Sequence, residues 1–367
     1  MITLKNTYNE AKIFADTVDA GAEGLIRAFC GCPVSEGSKI RIMPDVHSGK
    51  GCVVGTTMTV ADKIAPGLIG VDIGCGIYAA KLSGKRMEMQ KLDKLIREKI
   101  PSGRNIRSSA HRFSEQIDLG GLRCARHIQE DKAYLGIGSL GGGNHFIEID
   151  RGEDGAYWLI VHSGSRHLGV EVASFYQNAA FACRREDVPY EFAYATGDLM
   201  ADYLADLALT QEFARINRLA IADEICKGMK LSVSESIECV HNYFDADAMI
   251  LRKGAISAKE NEPLVIPMNM RDGCLLGLGK GNADWNESAP HGAGRLMSRK
   301  DARNSFTLSQ YKKEMKGIYS SSVSRETLDE SPMAYKPMES ILSKISQTAE
   351  ITQRLVPVYN FKAGEEF

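Results

Sequence analysis

The sequence predicts an α+β fold: one large domain with a mixed sheet and a helical insertion. Three observations predict it. Glycines gather in loops such as SGKGCVVG, IGVDIGCG, GIGSLGGGN, HSGSRHLG, LLGLGKGN and HGAG, most of them beside short apolar, β-branched runs. Other stretches carry the helical spacing of apolar residues. The residues that carry chemistry run from Asp72 to His291, on both sides of the main helical region, so two independent domains would divide them.

In chain order, CVVGTTMTV, YWLIVH and SIECVH read as buried strands ending at glycine or histidine loops. MEMQKLDKLIREKI places Leu92, Leu95, Ile96 and Ile100 on one face, preceded by SGKR and stopped by Pro101-Ser102-Gly103, which predicts a surface helix. A longer helix is expected over about 198–227, with Phe213, Ile216, Ala220 and Ile225 inward, inside a helical insertion over about 185–230. One more helix is read in SPMAYKPMESILSKISQTAEI, before the closing VPVYNFKAGEEF.

Composition removes several function classes. Apolar residues are 44% and charged residues 25%, which suits a globular chain and not a disordered or fibrous one. There is no apolar run of about 18 residues, and MITLKNTYNEAK lacks the regions of a signal peptide, so the expectation is a cytoplasmic protein with no membrane partner. The 9 cysteines are scattered, with only Cys30 and Cys32 close together, so reduced thiols are expected and Cys75 needs its own explanation. A net charge of -2 gives no global basic field, so any phosphate recognition must be local.

Of 8 histidines, His145, His162, His241 and His291 each stand where an apolar run meets a polar or glycine loop. One such histidine is more often structural; four, with Asp72 and Cys75 in GVDIGCG, point to a metal site. Carboxylate, thiolate and imidazole together suit zinc, manganese, iron or cobalt, and not calcium or magnesium. A thiolate can bridge two ions, and Gly74 and Gly76 let Asp72 and Cys75 point to one place. Ser163, Ser165 and Arg166 in SGSR, and His291 and Arg295 in HGAGR, suit phosphate oxygens, so phosphoryl chemistry is the natural reading. On a strand HFIEID, Asn144 and Glu148 would face away from His145, Ile147 and Ile149, either toward a nucleotide or as a solvated polar face.

MPDVHSGKG, GVDIGCG, GGGNHFIE, VHSGSRHLG, VHN, HGAGRLMSR and SPMAYKPMESI occur in this order, and over roughly residues 40–362 the chain resembles the RtcB family of RNA ligases. The resemblance implies an RtcB-like fold and GTP- and manganese-dependent joining of RNA ends. An end bearing a 3′-phosphate or 2′,3′-cyclic phosphate is joined to one bearing a 5′-hydroxyl, through GMP carried on a histidine, in RNA repair or tRNA splicing. It places Asp72, Cys75 and His145 on one of two manganese ions, Cys75, His162 and His241 on the other, and GMP on His291. Nucleotide contacts are implied for Asn144, His145, Phe146, Ile147, Glu148, His241, Asn242, His291, Gly292, Ala293, Gly294 and Lys362. Asp45, Arg166 and Arg299 are implied near the metals and the RNA phosphate, and an archease-like activator is an implied partner.

Three features depart from the family pattern. The segment that usually resembles PGSMG followed by serine reads Pro267, Met268, Asn269, Met270, then Arg271-Asp272-Gly273 and Cys274, so guanine and ribose contacts there are the least determined. His167 replaces a common glycine, and AGEEF follows Lys362. A dinuclear metal-dependent phosphohydrolase or nuclease, needing neither GTP nor a covalent histidine, is the alternative reading.

Overall fold

The computed structural model of the chain describes residues 1–84, 87–183 and 188–363. Lys85 and Arg86 of SGKR, the first residues of the expected insertion at 185–187, and the GEEF end of the tail lie outside the described residues.

Two main sheets organise the chain. The larger has seven strands in the order Pro263–Asn269, Gly273–Gly279, Ala349–Lys362, Phe146–Arg151, Tyr157–Ser163, Gly76–Ser83, Ser232–Val240, all antiparallel to their neighbours. Its alternating residues feed two apolar layers. Ile147, Ile149, Leu159 and Val161 pack with Leu92 and Ile96 of the helix Met89–Lys99 and Ile221 and Ile225 of the helix Gly197–Met229. Phe146, Trp158 and Ile160 face the other way, toward Leu264, Met338 and Ile341. The side-chain period of two in a strand produces this division. It also puts Glu148 on the Phe146 side, where it is buried and not solvated.

The second sheet has six strands, Ile2–Lys5, Glu10–Ile13, Ile40–His47, Val54–Thr59, Ile250–Lys253 and Asn242–Asp245; its one parallel pair, Glu10–Ile13 with Ile40–His47, makes it mixed. Ala255–Ser257 pairs separately with Ser288–Pro290. At His241 the chain leaves the larger sheet and enters the smaller, since Ser232–Val240 ends and Asn242–Asp245 begins on either side of it. The space between the sheets is where the candidate site lies.

Several elements differ from the sequence expectation. A helix spans Arg166–Cys183, so helical structure begins well before 185; the glycines of SGSRHLG read as loop, yet Leu168, Val172, Tyr176 and Ala180 recur at helical spacing and are buried. SIECV belongs to an edge strand whose residues 232–236 are exposed, because only Gly76–Ser83 pairs with it. The last helix is confined to Met338–Ile345, and residues from Ala349 join a 14-residue strand, since pairing with Gly273–Gly279 and Phe146–Arg151 outweighs local helical spacing. All nine cysteines are free thiols. Among the described residues no helix is long and apolar enough to cross a membrane.

Candidate active site

Four neighbouring strands of the larger sheet each deliver candidate metal-binding side chains at the same end. His145 precedes Phe146–Arg151, His162 closes Tyr157–Ser163, Asp72 and Cys75 lead into Gly76–Ser83, and His241 follows Ser232–Val240. Antiparallel order makes this possible: two strands begin where the two between or beside them end. Cross-strand register sets Phe146 opposite His162 and Gly76 opposite both Ser163 and Val240.

The ligand atoms converge. Cys75 Sγ lies 3.3 Å from His145 Nε2 and 3.2 Å from His162 Nε2; His162 Nε2 is 3.3 Å from His241 Nε2, and Asp72 Oδ2 is 3.0 Å from His145 Nε2. They fall into two triplets, Asp72/Cys75/His145 and Cys75/His162/His241, that share the sulfur. The ring tautomers test the fit to metal. His145 Nδ1 bonds the Leu140 carbonyl at 2.9 Å and His162 Nδ1 the Asn144 carbonyl at 3.2 Å. A carbonyl only accepts, so in the neutral rings both Nε2 atoms lack a proton and aim lone pairs at the cluster. One thiol proton cannot satisfy both, whereas cations between these atoms would. The donor set therefore fits transition-type divalent metals.

Electrostatics agree. Burial alone would raise the Asp72 carboxyl, but positive charge at the His145 ring, a proton whose place a metal ion would take, holds it at about 2. Burial and the adjacent imidazoles hold His162 and His241 far below the ordinary histidine value, so both rings are neutral, as metal ligation requires. Burial, then Asp72, pushes the Cys75 thiol well up; metal charge is what releases such a proton. The long helix braces the loops: Arg218, fully buried, donates to the Gly74 and Ser163 carbonyls at 2.7 and 3.1 Å, and Asn217 donates to those of Ser139 and Gly164. Gly164 is required, since any side chain there would collide with the Asp72 carboxylate.

Beside the ligands opens a cavity of about 760 Å³. His162, His241 and His291 line it, with Asn144, Phe146, Glu148, Pro267, Met268, Asn269, Met270, Gly292, Ala293, Gly294, Arg299 and Lys362. His291, after the strand Ser288–Pro290, stacks edge-on against His241 with ring centroids 4.8 Å apart. From the other sheet Asp45, wholly buried, places Oδ2 2.7 Å from His291 Nδ1. Gly294 lets that strand approach, at φ 74°, where a side chain would meet the Asp45 backbone.

Not every sequence-predicted residue reaches the cavity. Ile147 faces the opposite apolar layer, and Cys274 lies buried behind Glu148. Asn242 ties loops together, its Oδ1 accepting from the Gly254 N–H and its Nδ2 donating to the Asp72 carbonyl. Arg166 stands on the Asp72 side, donating to Ser139 Oγ and the Gly103 carbonyl, and Ser163 Oγ donates to the Leu140 carbonyl.

A family model described as "tRNA-splicing ligase RtcB" matches residues 34–123 and 122–363. The chain belongs to the RtcB family. Among similar proteins, the RNA-splicing ligase RtcB of Escherichia coli K12 is 29% identical over 362 residues, covering 86% of this chain and 88% of its own. The RNA-splicing ligase RtcB1 of a second Escherichia coli strain is 28% identical with the same coverage, and the tRNA-splicing ligase RtcB of Aeropyrum pernix is 26% identical, with 82% of each chain covered.

In this RtcB chain three residues beside the cavity escaped sequence reasoning: Glu330, Lys336 and His47. Glu330, buried, accepts from Lys362 Nζ at 2.5 Å and Tyr335 OH at 2.7 Å, and pairs with Arg299 at 2.7 Å and Arg295 at 3.3 Å; Asp329 takes Arg299 at 2.6 Å. Burial would raise the Glu330 carboxyl, but Lys362, Arg299 and Arg295 hold it far below the usual range. Lys336 of SPMAYK donates to the Pro44 and Val46 carbonyls, fixing the Asp45 strand. His47 lines the cavity with Nδ1 2.8 Å from the Asp45 carbonyl. The signal for Glu330 and Lys336 was their place in DESPMAYK; for His47, its place in MPDVHSGKG.

Proposed function

We propose that this chain is a GTP- and manganese-dependent RNA ligase that joins a 3′-phosphate or 2′,3′-cyclic phosphate end to a 5′-hydroxyl end through GMP on His291, in RNA repair or tRNA splicing. The reading takes residues 1–367 as one catalytic unit acting in the cytoplasm, with an archease-like activator as a further partner. RtcB membership and the RNA-splicing and tRNA-splicing ligase names of its relatives support it. The observation that carries it is His291, held by Asp45 at Nδ1 with Nε2 left for the cavity beside the ligand cluster.

Asp72, Cys75 and His145 would hold one manganese, and Cys75, His162 and His241 the other; such ions polarise phosphoryl oxygens and offset charge as it builds. The chain's own residues supply the rest. With the proton kept on Nδ1 by Asp45, the His291 Nε2 lone pair attacks the α-phosphorus of GTP: an N–P bond forms and pyrophosphate departs. Asn144, Phe146, Glu148, Pro267, Met268, Asn269, Met270 and the Gly292–Gly294 loop wall the space for the nucleotide, with Lys362 5.3 Å from the Phe146 ring centroid. Ile147, Asn242 and Cys274 act from behind, by positioning. A cyclic end is first opened to a 3′-phosphate by water, whose oxygen bonds to phosphorus as the 2′-oxygen leaves and takes up the proton. An oxygen of that phosphate takes GMP from His291, restoring the ring, and the 5′-hydroxyl then attacks the 3′-phosphorus while GMP leaves. Arg299 in the cavity wall and Arg166 on the Asp72 side present planar forks to RNA phosphate oxygens.

The test is incubation with α-labelled GTP and manganese, followed by intact-protein mass and by a sealing assay on 3′-phosphate and 5′-hydroxyl RNA. A GMP adduct on the native chain, lost in a His291→Ala variant that keeps its metal, together with GTP-dependent joining, is expected. RNA fragmentation without GTP and without adduct would establish the phosphohydrolase reading instead.

A further inference from the structure

Asn144 and Arg299 line the cavity of His291, and immediately before Asn144 runs the triplet Gly141-Gly142-Gly143, which carries no side chain at all. The turn of residues 102–105 packs along it. Ser102 bridges Gly141, the Gly103 N–H donates to the Gly141 carbonyl at 3.0 Å, and Gly103 Cα lies 3.6 Å from where a Cβ on Gly142 would stand. Arg166 donates to the Gly103 carbonyl at 2.8 Å, and a side chain on Gly141 would collide with its guanidinium. At the Asn144 end of the triplet, Arg299 Nη2 stands 3.8 Å from the corresponding point on Gly143. Both arginine forks therefore border one strip of bare backbone.

Backbone shape does not account for all three glycines. Gly141 and Gly143 have φ of 90° and 70°, a region that favours glycine, but Gly142 has neither a left-handed backbone nor a neighbour closer than 3.6 Å, an ordinary contact. The fold admits a side chain there. Charge points to the same strip: from Lys99 to Arg112 the chain holds Lys99, Arg104, Arg107 and Arg112 and no acidic residue, in a protein of net charge -2. Arg107 and Arg112 are held by Glu224 and Asp223 of the long helix. Lys99 and Arg104 are exposed and pair with no described residue, and the same holds for Lys300 beside Arg299.

We propose that the Gly141–Gly143 strip is the track by which the RNA strand ending in the 3′-phosphate leaves the cavity, its backbone lying on the glycines and its phosphates met by Arg104 and Lys300. The inference rests on the ligase reading, which brings that strand's last phosphate to His291 and so puts its preceding nucleotides outside. Exposed, unpaired cations neutralise phosphates and release their counterions. Bare backbone lets a thin polyanion approach peptide N–H groups that any side chain would hold it away from. An acidic protein would need buried apolar or aromatic anchors, which glycines do not supply. The strand bearing the 5′-hydroxyl brings an uncharged group to the reaction, so the cations beside the forks serve the strand whose last group is a phosphate.

Fluorescent single-stranded RNA with phosphate at both ends, titrated with the full-length protein across a salt series without GTP, tests it. Arg104→Ala combined with Lys300→Ala should weaken binding about tenfold and flatten the slope of log K against log salt by about 1.4, the loss of two phosphate contacts at about 0.7 each. Gly142→Leu should weaken the same RNA while its melting temperature stays native. Both variants should form the GMP adduct at the native rate. Unchanged affinity and salt slope in the folded variants overturn the proposal. RNA with a 5′-hydroxyl and no 3′-phosphate should be affected less; an equal or larger loss takes the strip away from the 3′-phosphate strand, and a loss confined to polyglutamate assigns it to an acidic protein. Binding needs no GTP, so a native chain that forms no adduct sinks the ligase reading by a separate measurement.

Discussion

Asp45 Oδ2 lies 2.7 Å from His291 Nδ1 and 3.2 Å from the His291 backbone N–H, so one buried carboxylate from the smaller sheet fixes both the ring and the loop that carries it. Asn at position 45 can still accept from Nδ1–H but loses the negative charge that steadies the ring as Nε2 bonds to phosphorus. Asp45→Asn is expected to slow GMP-adduct formation roughly tenfold to a hundredfold with metal content unchanged. Rapid-quench measurement of the adduct checks it, and a native rate would remove Asp45 from the step.

The shared sulfur makes a different demand. Because Cys75 belongs to both ligand triplets and His145 to one, Cys75→Ala should deplete both bound ions while His145→Ala depletes mainly one. Manganese stoichiometry by elemental analysis decides between them. Equal losses in the two variants would falsify the bridging role.

Arg166 stands beside Asp72 and outside the cavity that holds His291. Arg166→Ala should therefore form the GMP adduct at a near-native rate and seal RNA poorly. If adduct formation disappears while fold and metal persist, its fork serves the nucleotide instead.

Glu330 gathers Lys362, Arg299 and Arg295 behind the cavity wall. Removing its charge leaves those cations without their anchor, so Glu330→Gln is expected to cost on the order of 3 kcal/mol of stability. The KM for GTP should rise more than kcat falls. Denaturant unfolding and steady-state kinetics report the two effects, and an unchanged unfolding midpoint would show that the hub is not needed to hold the wall.

Acid should weaken the fold through His47. Burial, with His291 and Lys336 nearby, lowers its pKa from 6.5 to about 4, against the opposing pull of the Asp45 carbonyl and carboxylate. The folded chain thus favours the neutral ring. Its contribution is fully present above pH 6.5 and is lost as pH falls from there toward 4, because the unfolded chain takes up the proton first. Melting temperatures across that window should fall less steeply for His47→Gln than for the native chain. Parallel curves would assign the acid sensitivity elsewhere.

The candidate donor groups were legible in the sequence as residue types, Asp72, Cys75 and four histidines at the ends of apolar runs; the resemblance to RtcB ligases set His291 apart from the other three. So was the buried side of the long helix, since Phe213, Ile216, Ala220 and Ile225 follow one helical stripe. Glu148 showed that alternation along a strand fixes which face a residue takes, but not what covers that face. The helix Arg166–Cys183 was hidden because glycines at 164 and 169 imitate a loop, and the final strand because its partners lie far away in the chain.

The sequence by itself determined which side chains could bind metal and which histidine leads into a glycine-rich loop, because donor chemistry and local backbone freedom belong to the residues. Only the tertiary structure decided that four ladder-neighbouring strands end together, that Asp45 crosses from the other sheet to His291, and that Asp329 and Glu330 stand behind the cations of the cavity wall. The physical reason is that strand order and register are set by burial and pairing summed over the whole chain, so contacts between residues hundreds of positions apart leave no periodicity in the local sequence.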